Sequence, residues 1–263
     1  MKPSLTIIKV GGAVVEDEAQ LTQLLRDFTA IQGPKILVHG GGRRATKIAE
    51  RLGIETKMID GRRITDADML EVVTMVYGGL VNKNVVARLQ ALGCDAIGLT
   101  GADANILLSQ KRPLKMVNGE PVDYGFVGDV KQASGSKIAH FIDTDLIPVI
   151  APLTHDGQGH MLNTNADTMA SETAKAMAAV GYDITLIYAF EKPGVLRDAD
   201  DDNSVIATIN HADFETYKAD GTISGGMLPK IENALAAIDA GVKRVIITKA
   251  TAIDGQHGTV ITK

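Results

Sequence analysis

Apolar residues arrive along this chain in short, nearly unbroken runs, separated by stretches with a helical rhythm. The runs cover 5–8, 36–38, 96–99, 146–150, 184–188 and 245–248. A strand with one wet face alternates apolar and polar residues. A run without alternation predicts a strand covered on both faces. Between the runs, 20–31 carries Leu21, Leu24, Leu25 and Phe28 at the spacing of one helix face. Helices are also predicted over 43–52 and 67–92, and Thr65, three residues ahead of Asp68, offers a capping box for the long one. A helix over 167–180 gathers Met169, Ala170, Thr173, Ala174 and Met177 and stops at Gly181. Another over 230–240 gathers Ile231, Ala234, Leu235 and Ile238 and stops at Gly241. Strands alternating with helices predict an α/β fold with a mainly parallel, doubly covered sheet.

One region breaks the alternation. The runs 107–111, 115–117 and 127–130 are short and surround Asn118-Gly119 and Gly125, which are turn signals. They predict antiparallel hairpins inserted into the α/β framework as a lid. The stretch 197–203 is acidic, and Asp198, Asp200 and Asp202 begin a calcium-loop spacing. Asn203 stands where that loop needs Gly, and Ile209 where it needs Glu, so a solvated loop is the better reading.

Composition narrows the function. The chain has 263 residues, 45% apolar, enough for one large α/β domain or two intimate lobes. Its net charge of −5 lacks the basic footprint of nucleic-acid binding, so any anion must be met by a local site. The single Cys94 excludes an internal disulfide and a cysteine zinc cage. No apolar run approaches the roughly 20 residues that span a bilayer. The N-terminal apolar stretch, broken by Lys9, does not read as a secretory signal. The expectation is a cytoplasmic protein.

Five segments carry candidate chemistry. Lys9-Val10-Gly11-Gly12 ends the first strand, where open α/β sheets bind ligands. It can present an ammonium and bare backbone N–H groups to a phosphate. A polar strand end with a glycine turn explains it equally well. His39-Gly40-Gly41-Gly42 ends the second strand and opens a helix, whose N-terminus favours anions. It fits neither the dinucleotide fingerprint nor a P-loop, and a tight strand–helix turn remains open; His39 alone reads as structural. In Gly225-Gly226-Met227-Leu228-Pro229-Lys230, Pro229 suits the first helical position, which puts Lys230 in a first turn where the helix dipole disfavours a cation. A lysine there is easier to understand if it serves an anion. Asn163-Thr164-Asn165-Ala166-Asp167 holds more polar groups than one helix cap requires. Arg62 and Arg63 can clamp a carboxylate, or simply face solvent.

Taken in order with Gly125-Phe126-Val127-Gly128-Asp129 and 60–65, these segments resemble the N-acetylglutamate kinases of the amino-acid-kinase superfamily, nearly end to end. The resemblance implies a three-layer αβα sandwich, with an acceptor and dimerisation lobe over 1–180 and a nucleotide lobe over 181–263. It implies transfer of the ATP γ-phosphoryl group to the γ-carboxylate of an N-acylglutamate in arginine biosynthesis, giving an acyl phosphate. Lys9 and Lys230 would stabilise the transferring group and Asp167 would organise them. Gly41 and Gly42 would bind the reacting carboxylate, and Arg63, Asn163 and Asn165 the rest of the acceptor. Gly11, Gly12, Ser224 and Gly225 would meet the nucleotide, with Mg²⁺ carried mainly on its phosphates and no metal ligand from the protein.

The sequence departs from the family over 189–194, where the usual Asp is missing and the stretch is longer. Phe190, Glu191 and Lys192 are expected to replace that contact, beside adenine or ribose. The chain begins a few residues before its first strand, without the extra N-terminal helix of arginine-inhibited hexamers, so a homodimer without that feedback is expected. Three alternatives stay open: N-succinylglutamate as acceptor, a sibling kinase for another carboxylate, and a non-catalytic subunit that senses nucleotide.

Overall fold

The computed structural model of the chain describes residues 2–59 and 61–263; Asp60, part of the 60–65 motif, lies outside the described residues. Eight strands form one sheet in the order Thr208–Ile209, Thr259–Ile261, Arg244–Lys249, Asp183–Phe190, Ser4–Val10, Lys35–His39, Ile147–Ile150, Ala96–Leu99. Every neighbouring pair is parallel except Thr259–Ile261 against Arg244–Lys249.

The unbroken apolar runs have a direct cause. Successive side chains of a strand point to opposite faces. Leu5 and Ile7 pack with Met169, Ala174 and Met177 of helix Ala166–Ala179 and with Ile231 and Ile238 of helix Met227–Asp239. Ile8 and Val10 pack on the other side with Leu24, Leu25 and Phe28 of helix Glu18–Ala30. Helices cover both faces, and the fold is a three-layer αβα sandwich. Strand Asp183–Phe190 pairs with Ser4–Val10 along its whole length, so the sheet runs without interruption through the segments 1–180 and 181–263.

Several local expectations need correction. The 67–92 helix is a succession: α-helix Ala67–Val73, a π-helical stretch Thr74–Val81, then α-helix Asn82–Ala91. Its cap is Asp66, not Thr65. The Asp66 carboxylate accepts from Met69 N at 2.9 Å, while Thr65 is drawn into a bridge with Gly125. The last long helix starts at Met227, so Pro229 is its third residue; Lys230 is still close to the helix start and is buried.

The inserted region contains the expected hairpin, Lys115–Val117 with Glu120–Val122, turning at Asn118 and Gly119, both at positive φ. The rest is a four-stranded sheet in which Leu107–Lys111 lies between Gly128–Ala133 and Leu153–His155, with Met161–Asn163 at the far edge. Gly125 is not a hairpin turn. Its φ is +70°, and a Cβ there would meet the Thr65 carbonyl. The acidic loop is stitched by its own exposed turns, such as Asp200 N to Asp198 Oδ1 at 3.0 Å.

Candidate active site

The chemistry-bearing segments meet at the carboxyl ends of the central strands. Gly11 N donates to Ala189 O at 3.0 Å, and Gly40 N donates to Val10 O at 3.0 Å. Three successive strand ends are thereby tied side by side. Lys9, the penultimate residue of its strand, is buried, and its Nζ lies 2.7 Å from Asp167 Oδ1. That approach is off the line a hydrogen bond needs, so the contact is chiefly Coulombic. Lys230 Nζ donates to Asp167 Oδ2 at 3.0 Å. One carboxylate therefore holds two ammonium groups.

Burial alone would raise the Asp167 carboxyl; the charges of Lys9 and Lys230 override it and hold it at about 2. Lys230 is pushed below its ordinary value by burial and by the neighbouring Lys9 charge, against the pull of Asp167. Its ammonium also lies 5.4 Å from the Tyr188 ring and 5.7 Å from the Phe190 ring, within cation–π range. The cluster carries one net positive charge with little water around it, which suits a phosphate.

The glycine loop lies beside it. A Cβ on Gly40 would stand 2.9 Å from Gly12 N, so the two loops touch through bare backbone. Gly41 caps helix Gly42–Arg51, leaving first-turn N–H groups for an anion. His39 beneath is fully buried, with Nδ1 2.8 Å from Gly40 O and Nε2 3.1 Å from Asn82 Nδ2. Burial depresses it to about 4, so it is a neutral structural imidazole at pH 7.

Next to the loop opens a cavity of about 200 Å³, lined among others by Gly41, Gly42, Arg63, Asn163 and Asn165. All five are residues the sequence names for the acceptor. Arg63 is buried, not solvent-facing, and donates to Gly42 O and Thr46 Oγ1, each at 2.9 Å, and to Thr56 Oγ1 at 3.3 Å. Asn163 Nδ2 donates to Thr65 Oγ1 at 2.9 Å. Asn165 caps helix Ala166–Ala179 through Oδ1 alone, which accepts from Asp167 N and Thr168 N.

The nucleotide-side residues are less converged. The Gly11 amide is spent on the sheet, so that glycine contributes clearance rather than a donor. Phe190 packs partly into the core and faces Lys230. Glu191 pairs with Arg43 at 3.3 Å, both exposed. Lys192 turns to the acidic loop, donating to Asp202 Oδ1 at 3.0 Å and Ala199 O at 3.1 Å. Ser224 and Gly225 form the turn ahead of helix Met227–Asp239.

Three residues at the site escaped the sequence reading. Tyr188 lies buried under the Asp167 cluster, its hydroxyl donating to Asp167 O at 3.3 Å. Tyr77 and Arg112 line the cavity, beside Arg62, which the sequence offers with Arg63 as a clamp. Arg112 is clamped by Asp129, Nε to Oδ1 at 3.0 Å. Asp129 stands in a motif already noted, and a carboxylate there with a nearby arginine was the one available signal. Nothing in the local pattern marks Tyr77.

The Amino acid kinase family matches residues 4–249. The chain belongs to that family. An acetylglutamate kinase from Bacteroides thetaiotaomicron is 63% identical over 263 residues, covering the whole of both chains. One from Bacteroides fragilis is 62% identical over all of this chain and 98% of its own length. Among solved structures, smu.665 from Streptococcus mutans superposes with a TM-score of 0.78 at 29% identity, covering 98% of each chain. No described helix is long and apolar enough to cross a membrane.

Proposed function

We propose that this family member transfers the γ-phosphoryl group of ATP to the side-chain carboxylate of N-acetyl-L-glutamate, in arginine biosynthesis. The observation that carries the reading is the adjacency of two elements. The Lys9–Asp167–Lys230 cluster suits a transferring phosphate, and the Gly41–Gly42–Arg63 cavity suits a carboxylate acceptor. Near-full-length identity to acetylglutamate kinases supports the choice of acceptor.

The acceptor carboxylate is ionised at neutral pH, so its oxygen attacks the γ-phosphorus without a general base. A P–O bond to the carboxylate forms as the bond to ADP breaks. Lys9 and Lys230 would offset charge on the equatorial and leaving oxygens. Asp167 holds both ammonium groups and acts through them. Both its oxygens face ammonium groups, so Mg²⁺ fits this donor set when carried on the nucleotide phosphates. There it would neutralise phosphate charge. The family resemblance adds a cytoplasmic setting, a homodimer, and an acceptor lobe over 1–180 with a nucleotide lobe over 181–263.

A second acceptor is favoured by one feature. Beside the first cavity lies another of about 290 Å³, whose charged lining is Arg62, Arg112, Lys115 and Asp129; its excess of positive charge would suit the extra carboxylate of N-succinylglutamate. Coupled measurement of ADP release with acetylglutamate, succinylglutamate and glutamate separates these readings. Turnover with the acetyl compound supports the proposal, preference for the succinyl compound supports the second reading, and no turnover with any acceptor leaves a nucleotide-sensing subunit.

A further inference from the structure

Tyr77 stands out among the cavity-lining residues that the reaction does not yet use. The residue is buried, at 5% relative exposure. It is carried by the π-helical stretch Thr74–Val81, a wider winding that recurs at functional sites. Its ring lies flush on the glycine loop: a Cβ on Gly41 would stand 2.8 Å from Tyr77 Cδ1 and 3.1 Å from Cε1. Beyond the ring, its hydroxyl comes to 3.9 Å from where a Gly42 Cβ would sit, and Arg63 NH2 to 3.8 Å from the same point. The phenol oxygen, the guanidinium and the Gly42 backbone therefore converge on one edge of the cavity.

A buried tyrosine hydroxyl normally finds a hydrogen-bond partner. Its neighbour at the cavity wall is the Arg63 guanidinium, which can only donate, so the hydroxyl's own proton is left for a ligand. Arg63 NH2 already serves both Gly42 O and Thr46 Oγ1. Burial also raises the Tyr77 hydroxyl above its ordinary value, against the lowering effect of Arg63, so it remains a protonated donor at neutral pH.

The geometry points to Tyr77 as a binding residue for the acceptor, whose hydroxyl donates a hydrogen bond to the carboxylate held against Gly41 and Gly42. This rests on the reading of the cavity as the acceptor site. The donor serves a ground-state anion, so it belongs to acceptor affinity rather than to the nucleotide. The ring, by contrast, sets the floor on which Gly41 lies.

Tyr77→Phe keeps the ring and removes only the donor. Hydrogen bonds to charged groups are strong enough that Kd for acetylglutamate should rise about tenfold or more in calorimetry. KM for the acceptor should rise with it. The melting temperature without ligand should change little, because Arg63 keeps its bonds to Gly42 O and Thr46 Oγ1 when the phenol oxygen is removed, and KM for ATP should stay within about twofold. Wild-type acceptor affinity in Tyr77→Phe overturns the inference. A lowered melting temperature with unchanged acceptor affinity also overturns it, by assigning the hydroxyl to the fold. If the wild-type protein itself binds no acyl-glutamate while still binding ATP, the acceptor reading fails and this inference with it.

Discussion

Asp167 holds two ammonium groups, and the direction of its shift fixes how the protein responds to acid. Its carboxyl lies at about 2 in the fold against an ordinary 3.8. A depressed acid contributes stability that is fully present above the unfolded value and is lost as pH falls through the folded value. The shift corresponds to on the order of 2 kcal/mol. Urea titrations of wild type and Asp167→Asn should therefore differ by a constant amount above about pH 5 and converge as pH falls to about 2 and below. A gap that persists unchanged at pH 2 would mean that the ion pairs do not stabilise the fold. The two lysines are expected to act in the transition state more than in binding. Lys9→Ala and Lys230→Ala should each lower kcat by about 10²–10³-fold, as removal of comparable charge stabilisation does elsewhere. Acceptor KM should change far less. Steady-state kinetics with near-normal kcat in both variants would remove them from the phosphoryl-transfer step.

At the scale of elements, the helix beginning at Ala67 shows how a cap and a winding are chosen. Thr65 and Asp66 both suit an N-cap by type, yet Thr65 is pinned to Gly125 and receives Asn163. Asp66 is left to receive Met69 N. Asp66→Ala should then cost about 1 kcal/mol of stability, the ordinary worth of a cap, while kcat at saturating substrates stays unchanged. Chemical denaturation checks the first part and kinetics the second. Thr65→Val should behave in the opposite way, loosening Asn163 at the cavity. The π-helical stretch that follows breaks the 3.6-residue rhythm, and so shifts which residues face the glycine loop. Tyr77 reaches Gly41 from that stretch.

For the whole molecule, the uninterrupted sheet has a folding consequence. Strand Asp183–Phe190 covers the edge of Ser4–Val10, and residues on both sides of position 180 share one apolar layer, Leu5 and Ile7 with Leu186, Ile231 and Val245. A fragment of residues 1–180 would expose that strand edge and half a core. It should be aggregated in size-exclusion chromatography, whereas the full chain should unfold in a single transition by circular dichroism. A soluble, cooperatively folded fragment would show that the two lobes are independent. Much of this architecture is legible in the sequence. The runs at 5–8, 96–99 and 245–248 read as doubly covered strands because burial on both faces erases alternation. The helix faces built on Leu24 and Met177 are read from spacing alone. Lys9, Gly41, Gly42 and Lys230 announce themselves because a charge or a glycine run at an element boundary conflicts with local propensity. The cap at Asp66, the turn ahead of Pro229 and the short strands at 153–155, 161–163, 208–209 and 259–261 were not legible, because two or three residues carry too little periodicity. The convergence of the site belongs to tertiary structure. Asp167 and Lys230 lie 63 positions apart, and Tyr77, Arg62 and Arg112 become cavity residues through the order of the strands and the path of the crossovers. Periodicity is a signal within one element; it specifies which face is buried, but not which other element will cover it.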